Sequence, residues 1–335
     1  MTEPEPPGGR RRGGSTLKDV AAAAGVHPAT AASVLNATQG NTRVGEAARQ
    51  RVLEAARRLA YVRNEAARRL RTGHSNAVGF VGGDLRNPFF AELTASLEEE
   101  LRRRDLQLVV AHVAPGSQAS FAKAVEILEQ QTLRGIVYWD ESPGGRERIA
   151  ASPLLPIGFT TRPRPGVWLD LQRAIRLAVR HFERRGLRHL GFYAPRRHVE
   201  SPSVSARRRI FLEECRRRGL PAPVAATFDG ESWDVVAAAR GAAALLKRRP
   251  GVEGYLGFND TASIGLLLAR ENASSRPEVL CFDGTRLARC WAPPVPWLDL
   301  QVTELARRAA AIVAGDERAA DSGRRQRWLK PTLEG

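Results

Sequence analysis

The chain has 335 residues, of which 43% are hydrophobic, and it carries a formal net charge of +16. A chain of this length can bury a sizeable core, so it can hold a small head and a two-part main body. The positive charge favours a polyanionic partner, because counterions released from phosphates drive binding. The net charge is +7 in residues 1–76 and +9 in the remainder of the chain. We therefore expect many of the arginines to lie on solvated surface and not to contact DNA.

The N-terminal segment and the cysteines argue against several classes of protein. Residues 1–14 are rich in proline, glycine and arginine and lack the apolar core of a signal peptide, so we expect a disordered basic tail. No apolar run reaches the length of a membrane span. Cys215, Cys281 and Cys290 form no CxxC pair, which argues against zinc and fits reduced thiols. We therefore expect a cytoplasmic protein with no membrane partner, no metal and no cofactor.

Residues 15–62 form the first predicted domain, a helix-turn-helix head. The run Thr16–Asn36 predicts a helix, a turn and a second helix, with small or apolar residues that let two short helices cross closely. Gly25 can adopt the left-handed conformation that ends a helix, and Pro28 suits a first helical position. Apolar residues recur at helical spacing in 44–61 and predict a third helix that closes the core.

A hinge helix with its linker is predicted over residues 63–75. Within it, Asn64–Arg71 is a short basic helix with one large apolar residue, Leu70, near its end. The alternative is a solvated linker, because isolated helices of this length are marginal in water.

From residue 76 onward, short β-rich runs alternate with helical stretches, which predicts βαβ units and parallel sheets. The first set of strands is predicted at 78–81, 106–113, 135–139 and 155–160, with helices at 90–104 and 120–131. The second set of strands is predicted at 188–194, 225–228, 254–258 and 279–282, with helices at 173–185, 205–218, 235–248 and 261–271. Two sheets in series are therefore expected.

The order of these motifs resembles the lactose-repressor (LacI/GalR) family of bacterial transcription regulators, from Thr16 nearly to the C-terminus. The resemblance implies an N-terminal all-α helix-turn-helix head with a hinge helix, then an α/β periplasmic-binding-protein-like core of two Rossmann-like subdomains. This effector-binding and dimerisation domain would cover residues 76–335. Its N-subdomain would span about 76–161 plus 295–318, and its C-subdomain about 162–294 plus 319–333. Ligands of such folds lie in the cleft between the lobes, at the carboxyl ends of strands.

The resemblance also implies which residues meet DNA. In the family the second helix lies in the major groove, and paired hinge helices push a leucine, here Leu70, into the minor groove at the centre of a palindromic operator. The candidate DNA contacts are Thr16, Leu17, His27, Pro28, Ala29, Thr30, Ser33, Asn36, Arg68 and Leu70. The reading helix lacks the family's usual arginine, and Ala29 and Ser33 can make only small base contacts. His27 is either a base contact or a weak, exposed cap.

Effector-binding candidates come from segments that match the family's motifs. Phe89 and Phe90 follow the first strand, where the family's aromatics face the effector; one of the two could instead belong to the core. Arg207 stands at the family's effector arginine, whose fork can hold a hydroxyl or carboxylate with two bonds. Ile210 replaces the glycine that usually follows this arginine, so the match is imperfect.

Three further candidates lie in the second half of the chain: Trp233, Asn259 and Asp283. A flat ring at Trp233 would suit the apolar face of a sugar, and the alternative is a partly buried surface indole. Asp283 could accept from two ligand hydroxyls. Burial of the Asp283 carboxylate without a partner would cost free energy. The alternative to a role in ligand binding is therefore a structural ion pair with Arg207.

These features favour a sequence-specific transcriptional regulator, a repressor in most relatives, that binds operator DNA as a homodimer and responds to a small, sugar-like molecule. No phosphate loop, nucleophile elbow or paired metal-ligand motif suggests an enzyme. One alternative is a small-molecule binding protein with a vestigial head. Another is a ligand-independent DNA binder with a degraded cleft, because residues 296–300 depart from the family's threonine-rich strand.

Overall fold

The structure is a computed structural model that describes residues 15–35, 44–61, 75–113, 118–131, 133–140, 154–160, 166–316 and 328–334. The chain divides between His74 and Ser75 into two compact units, a head and a main body. The predicted contact Asn36 and the whole predicted hinge helix, with Arg68 and Leu70, lie outside the described residues.

The head begins with two short helices, α1 (Leu17–Ala24) and α2 (Pro28–Leu35). Thr16 starts α1 with a capping box: its hydroxyl accepts from the Asp19 amide, and the Asp19 carboxylate accepts from the Thr16 amide at 2.7 Å. Gly25 ends α1 with φ of +63°, the left-handed conformation that other residues adopt at a cost. The predicted helix, glycine turn and second helix are confirmed.

A third helix, α3 (Glu46–Arg58), closes the core of the head, as predicted. The buried residues of this core are Val20, Ala21, Ala24, Ala31, Val52 and Ala55. Because most of them are alanines, the three helices can approach closely. The Arg51 Nε donates to the Ala24 carbonyl at 3.1 Å, which satisfies one of the carbonyls left open where α1 ends.

The first sheet of the main body is parallel and six-stranded, with the order β11-β5-β4-β3-β1-β2. Its strands are β1 (Ala77–Gly82), β2 (Gln107–His112), β3 (Ile136–Asp140), β4 (Leu154–Thr160), β5 (Val167–Asp170) and β11 (Trp328–Leu329). Helix α4 (Pro88–Arg102) packs on one face and α5 (Gln118–Glu129) on the other. A further helix, here α11 (Val302–Val313), packs beside α4. This sheet and its three helices form the first lobe.

The second lobe is a parallel four-stranded sheet with the order β7-β6-β8-β9. Its strands are β6 (Leu190–Pro195), β7 (Val224–Phe228), β8 (Gly254–Gly257) and β9 (Glu278–Leu280). Four long helices flank the sheet: α6 (Leu171–Arg184), α7 (Pro202–Arg217), α8 (Val235–Arg248) and α9 (Asp260–Arg270). A short helix, α10 (Arg286–Arg289), follows β9. The predicted alternation of strands and helices is confirmed in both lobes.

The connections between the lobes differ from the prediction. Strand β5, which the sequence did not indicate, pairs with β4 in the first sheet, so the chain leaves the first lobe after Asp170 and not near residue 161. Strand β11 also lies in the first sheet, although residues 319–333 were assigned to the C-subdomain. Between the lobes, β10 (Trp297–Asp299) pairs with β12 (Thr332–Glu334) in an antiparallel ribbon. These strands have two to four residues, too few to show a period of two in the sequence.

We expect the Thr16→Ala variant to destabilise the start of α1 by about 1 kcal/mol, because it removes the hydroxyl that caps the helix. Hydrogen exchange of the α1 amides in the full chain should then be about fivefold faster. Thr16→Ser keeps the hydroxyl and is the matched control. Equal protection of α1 in Thr16→Ala and in wild type would show that the capping box contributes nothing.

Candidate functional site

A small cavity lies between the two lobes, where the strands of both sheets end. Its volume is about 40 Å³, room for only a few water molecules. The first lobe contributes Asp84, Asn87, Phe89, Phe90 and Trp139 to its lining, and the second contributes His198, Ser201, Ser203, Val204, Arg207, Ser232, Phe258, Asn259 and Asp283. The cleft therefore combines charged, hydroxyl and aromatic groups, and its side chains nearly fill it.

Arg207 is the central cation of this cleft. It lies on α7, and its residue is only 5% exposed. Its guanidinium carbon lies 4.6, 4.4 and 4.3 Å from the ring centroids of Phe159, Phe258 and Phe282, respectively. Its Nη1 donates to the Phe258 carbonyl at 2.6 Å. Because Phe159 belongs to the first lobe and the other two rings to the second, the cation binds both lobes at once.

Two buried carboxylates, Asp260 and Asp283, lie beside each other at the carboxyl ends of β8 and β9. Asp260 Oδ1 accepts from the Asp283 amide at 2.9 Å, and its Oδ2 accepts from the Thr285 amide at 2.6 Å. Asp283 Oδ2 accepts from the Asp260 amide at 3.4 Å. Asp260 thus fixes the loop after β9 and leaves Asp283 in the cavity lining.

Burial raises the pKa of both carboxyls. For Asp283 desolvation is the largest cause, the charge of Asp260 adds to it, and the Arg207 guanidinium opposes it. For Asp260 the hydrogen bonds from Thr285, Asp283 and Gly284 oppose the effect of burial. Two adjacent carboxylates and one arginine make a site whose net charge changes when a proton or a ligand binds.

The aromatic residues form a continuous cluster that occupies most of the cleft. The ring centroids of Phe89 and Phe90 lie 5.1 and 5.4 Å from that of Trp139, in edge-to-face geometry. Trp139 in turn lies 5.6 Å from Phe159. Phe89 and Phe90 are both buried, so they serve the core and line the cavity at the same time.

The structure places two of the sequence candidates differently from the others. Trp233 is not in the cavity lining; its half-buried ring lies beneath the guanidinium of Arg86, whose central carbon is 4.0 Å from the ring centroid. Asn259 lines the cavity, but its side chain already caps α9 and donates to the Ser232 carbonyl at 2.7 Å. Phe89, Phe90, Arg207 and Asp283 all line the cavity.

Sequence reasoning did not single out several lining residues, among them Asn87, Trp139, Phe258 and, behind the lining, Phe159 and Phe282. The available signal was position: each lies at or just after the end of a buried strand, apart from Asn87, which caps α4. Parallel strands end at one edge of a sheet, so aromatic residues at several such ends indicate a shared site.

The lobes are also joined by contacts outside the cavity. Glu92 on α4 accepts from the backbone amide of Arg286, the first residue of α10, at 2.6 Å. Thr285 begins α10 without a side-chain cap, so the first lobe supplies the acceptor that the second lobe lacks. A second contact between the lobes joins the guanidinium of Arg86 to the ring of Trp233.

The described part of the reading helix presents small side chains. Ala29 is exposed, and Thr30 and Ser33 are half-buried. His27 is exposed, and its Nδ1 accepts from the Ala29 amide at 3.2 Å, which is the capping role expected as one of its two alternatives. At the start of α1, Leu17 packs partly against the core of the head.

Among the residues that the structure describes, no group of three or more His, Cys, Asp or Glu could hold a metal ion. No helix within the described ranges is both long and apolar enough to span a bilayer.

We expect Asp283→Asn to remove part of the pH dependence of stability. Because burial raises the native pKa of Asp283 above its unfolded value, the proton stabilises the native chain. That contribution is complete below the unfolded value, about pH 4, and is lost as the pH rises towards the native pKa. The free energy of unfolding, measured with urea at pH 5 and pH 8, should therefore favour the variant more at pH 8. An equal difference at both pH values would contradict the buried-acid assignment, and exposed Asp105→Asn is the control.

Comparison with known proteins identifies both units. The family model described as bacterial regulatory proteins, lacI family, matches residues 16–64, and a periplasmic binding protein-like domain matches residues 179–333. An uncharacterised HTH-type transcriptional regulator in the aml 5′ region of Streptomyces limosus is 30% identical over 313 residues, 89% of this chain and 86% of the relative. The ribose operon repressor of Bacillus subtilis (strain 168) is 26% identical over 309 residues, 90% of this chain and 91% of that protein.

Solved structures agree on the fold. The Lac repressor bound to ONPG superimposes with a TM-score of 0.80 at 20% identity, over 96% of this chain and 98% of that one. Both of these relatives are regulators of transcription and not enzymes. The chain therefore belongs to the lacI family of bacterial regulatory proteins.

Proposed function

We propose that this transcriptional regulator represses its targets as a homodimer on a palindromic operator, and that a small molecule in the cleft between the lobes controls its affinity for DNA. The observation that carries the proposal is the cleft itself. A buried arginine and a buried carboxylate converge there among aromatic rings, at the boundary between the two lobes. A bacterial cytoplasmic location accompanies the proposed DNA partner.

The proposed DNA contacts are those of the reading helix and the hinge. The second helix of the head would enter the major groove, where Ala29, Thr30 and Ser33 offer a methyl and two hydroxyls to base edges. Side chains this small give little discrimination each. Specificity would then depend also on the deformability of the central step, where Leu70 is proposed to insert.

The proposed effector is sugar-like. Arg207 would donate to ligand oxygens, Asp283 would accept from hydroxyls, and the rings of Phe89 and Phe90 would cover an apolar face. The name of the ribose operon repressor supports this class by analogy. A cavity of about 40 Å³ is too small for a monosaccharide, so the lobes would have to open for entry.

The same volume favours a second candidate, a regulator that binds DNA without any ligand. In that case the aromatic cluster and Arg207 would act as a permanent filling of the cleft. The two candidates share the DNA activity and differ only in whether the cleft responds to a small molecule.

Selection of random duplex DNA by the full-length protein at physiological salt tests the DNA activity. We expect a palindrome with a flexible central step, because a dimer places two reading helices on one face of the duplex. Failure of the selection to enrich any sequence would contradict the proposal.

The Leu70→Ala variant should bind the selected operator at least tenfold more weakly than wild type, a loss of about 1.4 kcal/mol, and should bend it less. Leu85→Ala, which removes an exposed leucine of the main body, is the matched control. Equal operator binding by Leu70→Ala and wild type would show that Leu70 does not insert between base steps.

A thermal-shift screen with pentoses, hexoses and their disaccharides tests the cleft. A sugar that stabilises wild type should lose tenfold or more in affinity in Arg207→Lys, because an ammonium cannot reproduce the two-pronged donation of a guanidinium. Arg208→Lys changes the neighbouring residue, which does not line the cavity, and should bind as wild type does. If no sugar stabilises wild type and none alters operator affinity, the ligand-independent regulator is favoured instead.

A further inference from the structure

A second cavity lies in the second lobe, away from the cleft. Its volume is about 370 Å³, within the range of small-molecule sites and much larger than the cleft. It is lined by His181, Arg185, Arg270, Arg276, Pro277, Glu278, Val279, Pro294, Val295 and Pro296. Glu278 starts β9 here, whereas Asp283 lies just beyond the other end of that strand. The two cavities therefore lie at opposite ends of β9.

Three arginines from three parts of the chain converge on this second cavity. Arg185 follows α6, Arg270 ends α9, and Arg276 lies in the loop before β9. Among the described residues of this lining, Glu278 is the one acidic group, and both of its oxygens are already engaged. One contacts His181, and the other accepts from Arg185 Nε at 3.0 Å. The lining thus holds an excess of positive charge that Glu278 does not neutralise.

Arg270 and Arg276 make only weak contacts within the described chain. The Arg270 side chain is 16% exposed, yet its closest contacts are the Pro277 carbonyl at 3.4 Å and Glu271 at 3.7 Å. Arg276 donates to the Glu271 carbonyl at 3.4 Å. Elsewhere arginines are held closely by carboxylates, as Arg307 is by Glu304 at 2.6 Å. A guanidinium that is mostly buried and weakly bonded retains most of its capacity to hold an anion.

The ends of α6 and α9 offer a simpler explanation for some of this charge, because cations favour helix C-termini. That explanation does not account for Arg276, which lies in a loop. It also does not account for Arg270, whose guanidinium bonds to the Pro277 carbonyl and not to the last carbonyls of its own helix.

Part of the lining of the second cavity is apolar, and this part adjoins the segment that connects the lobes. Pro294, Val295 and Pro296 form this apolar part, and β10 begins at the next residue. The Pro296 carbonyl accepts from the Cys281 amide at 2.9 Å, which fastens the apolar part to the end of β9. An occupant of the cavity would therefore touch the segment that enters the interlobe ribbon.

We propose that this second cavity binds a small metabolite that carries a phosphate or carboxylate group, with the oxyanion on Arg270 and Arg276 and an apolar part against Pro294–Pro296. The site is separate from the cleft, and it would let a second class of small molecule act on the segment between the lobes. Both anions share the chemistry that a guanidinium fork recognises, so they are distinguished by experiment.

Calorimetric titration of the full-length protein with inorganic phosphate, and separately with malonate, tests the site at constant ionic strength. We expect saturable binding of at least one anion. Arg270→Gln/Arg276→Gln should weaken it tenfold or more. Arg248→Gln/Arg249→Gln removes the same charge at the end of α8, outside the lining, and should leave it unchanged.

The preferred anion identifies the class: phosphate indicates a phosphorylated metabolite, and malonate a carboxylate. No saturable binding of either anion to wild type would overturn the proposal. Equal binding by the Arg270→Gln/Arg276→Gln variant, or an equal loss in Arg248→Gln/Arg249→Gln, would overturn it as well. If thermal unfolding shows that the double variant is unstable, Arg276→Gln alone, at an exposed position, gives the same test.

Discussion

The closed arrangement of the main body depends on one buried cation. A guanidinium removed from water must recover its lost hydration from the protein, or its burial is prohibitively costly. Arg207 does so with the negative faces of three phenylalanine rings, the Phe258 carbonyl and the nearby carboxylates. One of the rings belongs to the other lobe. Separation of the lobes therefore changes the environment of the charge, and any ligand that enters must offer it an equivalent one.

The acidic pair beside Arg207 shows how two carboxylates can share a dry site. Asp260 is held by backbone amides of Asp283, Gly284 and Thr285, which stabilise its charged form. Among the described residues, Asp283 accepts one long amide bond, and its carboxylate lies in the lining of the cavity. Asp260 is accordingly a structural group that shapes the loop. Asp283 is the one whose protonation can follow the contents of the cleft.

The sequence predicted the elements whose patterns are long enough to show a period. The buried strands β1, β3 and β6 read as apolar runs, and the helices between them carry one apolar face, so their order and type were predictable. Strands β5 and β10 have four and three residues, and nothing in so few residues separates a strand from a loop. The predicted position at which the chain crosses between the lobes was therefore wrong by several residues.

The candidate site was predicted in part, for a related reason. The resemblance to the family's motifs identified Arg207, and position at a strand end together with that resemblance identified Asp283. The resemblance also selected Trp233, whose ring instead lies beneath Arg86. It missed Phe159 and Phe282, which look like ordinary core residues until the two lobes are brought together. A contact between lobes is a property of the tertiary structure and leaves no local pattern.

Opening of the cleft requires that a small set of contacts break together. The hydrogen bond from the Arg286 amide to Glu92 is charge-assisted and of a kind that contributes about 1.5–3 kcal/mol, less here because Glu92 is partly exposed. The Arg86 side chain in the contact with Trp233 is 61% exposed, so this contact adds little. Arg207 would lose one ring of three but keep its carbonyl bond, because Phe258 lies in its own lobe. Opening would also separate the rings of Phe159 and Phe282, whose centroids lie 5.7 Å apart, so the balance between closed and open lobes depends on several contacts. A ligand that replaced the Phe159 ring with hydroxyls on Arg207 and Asp283 could shift this balance, because it would bind the open state more tightly than the closed one.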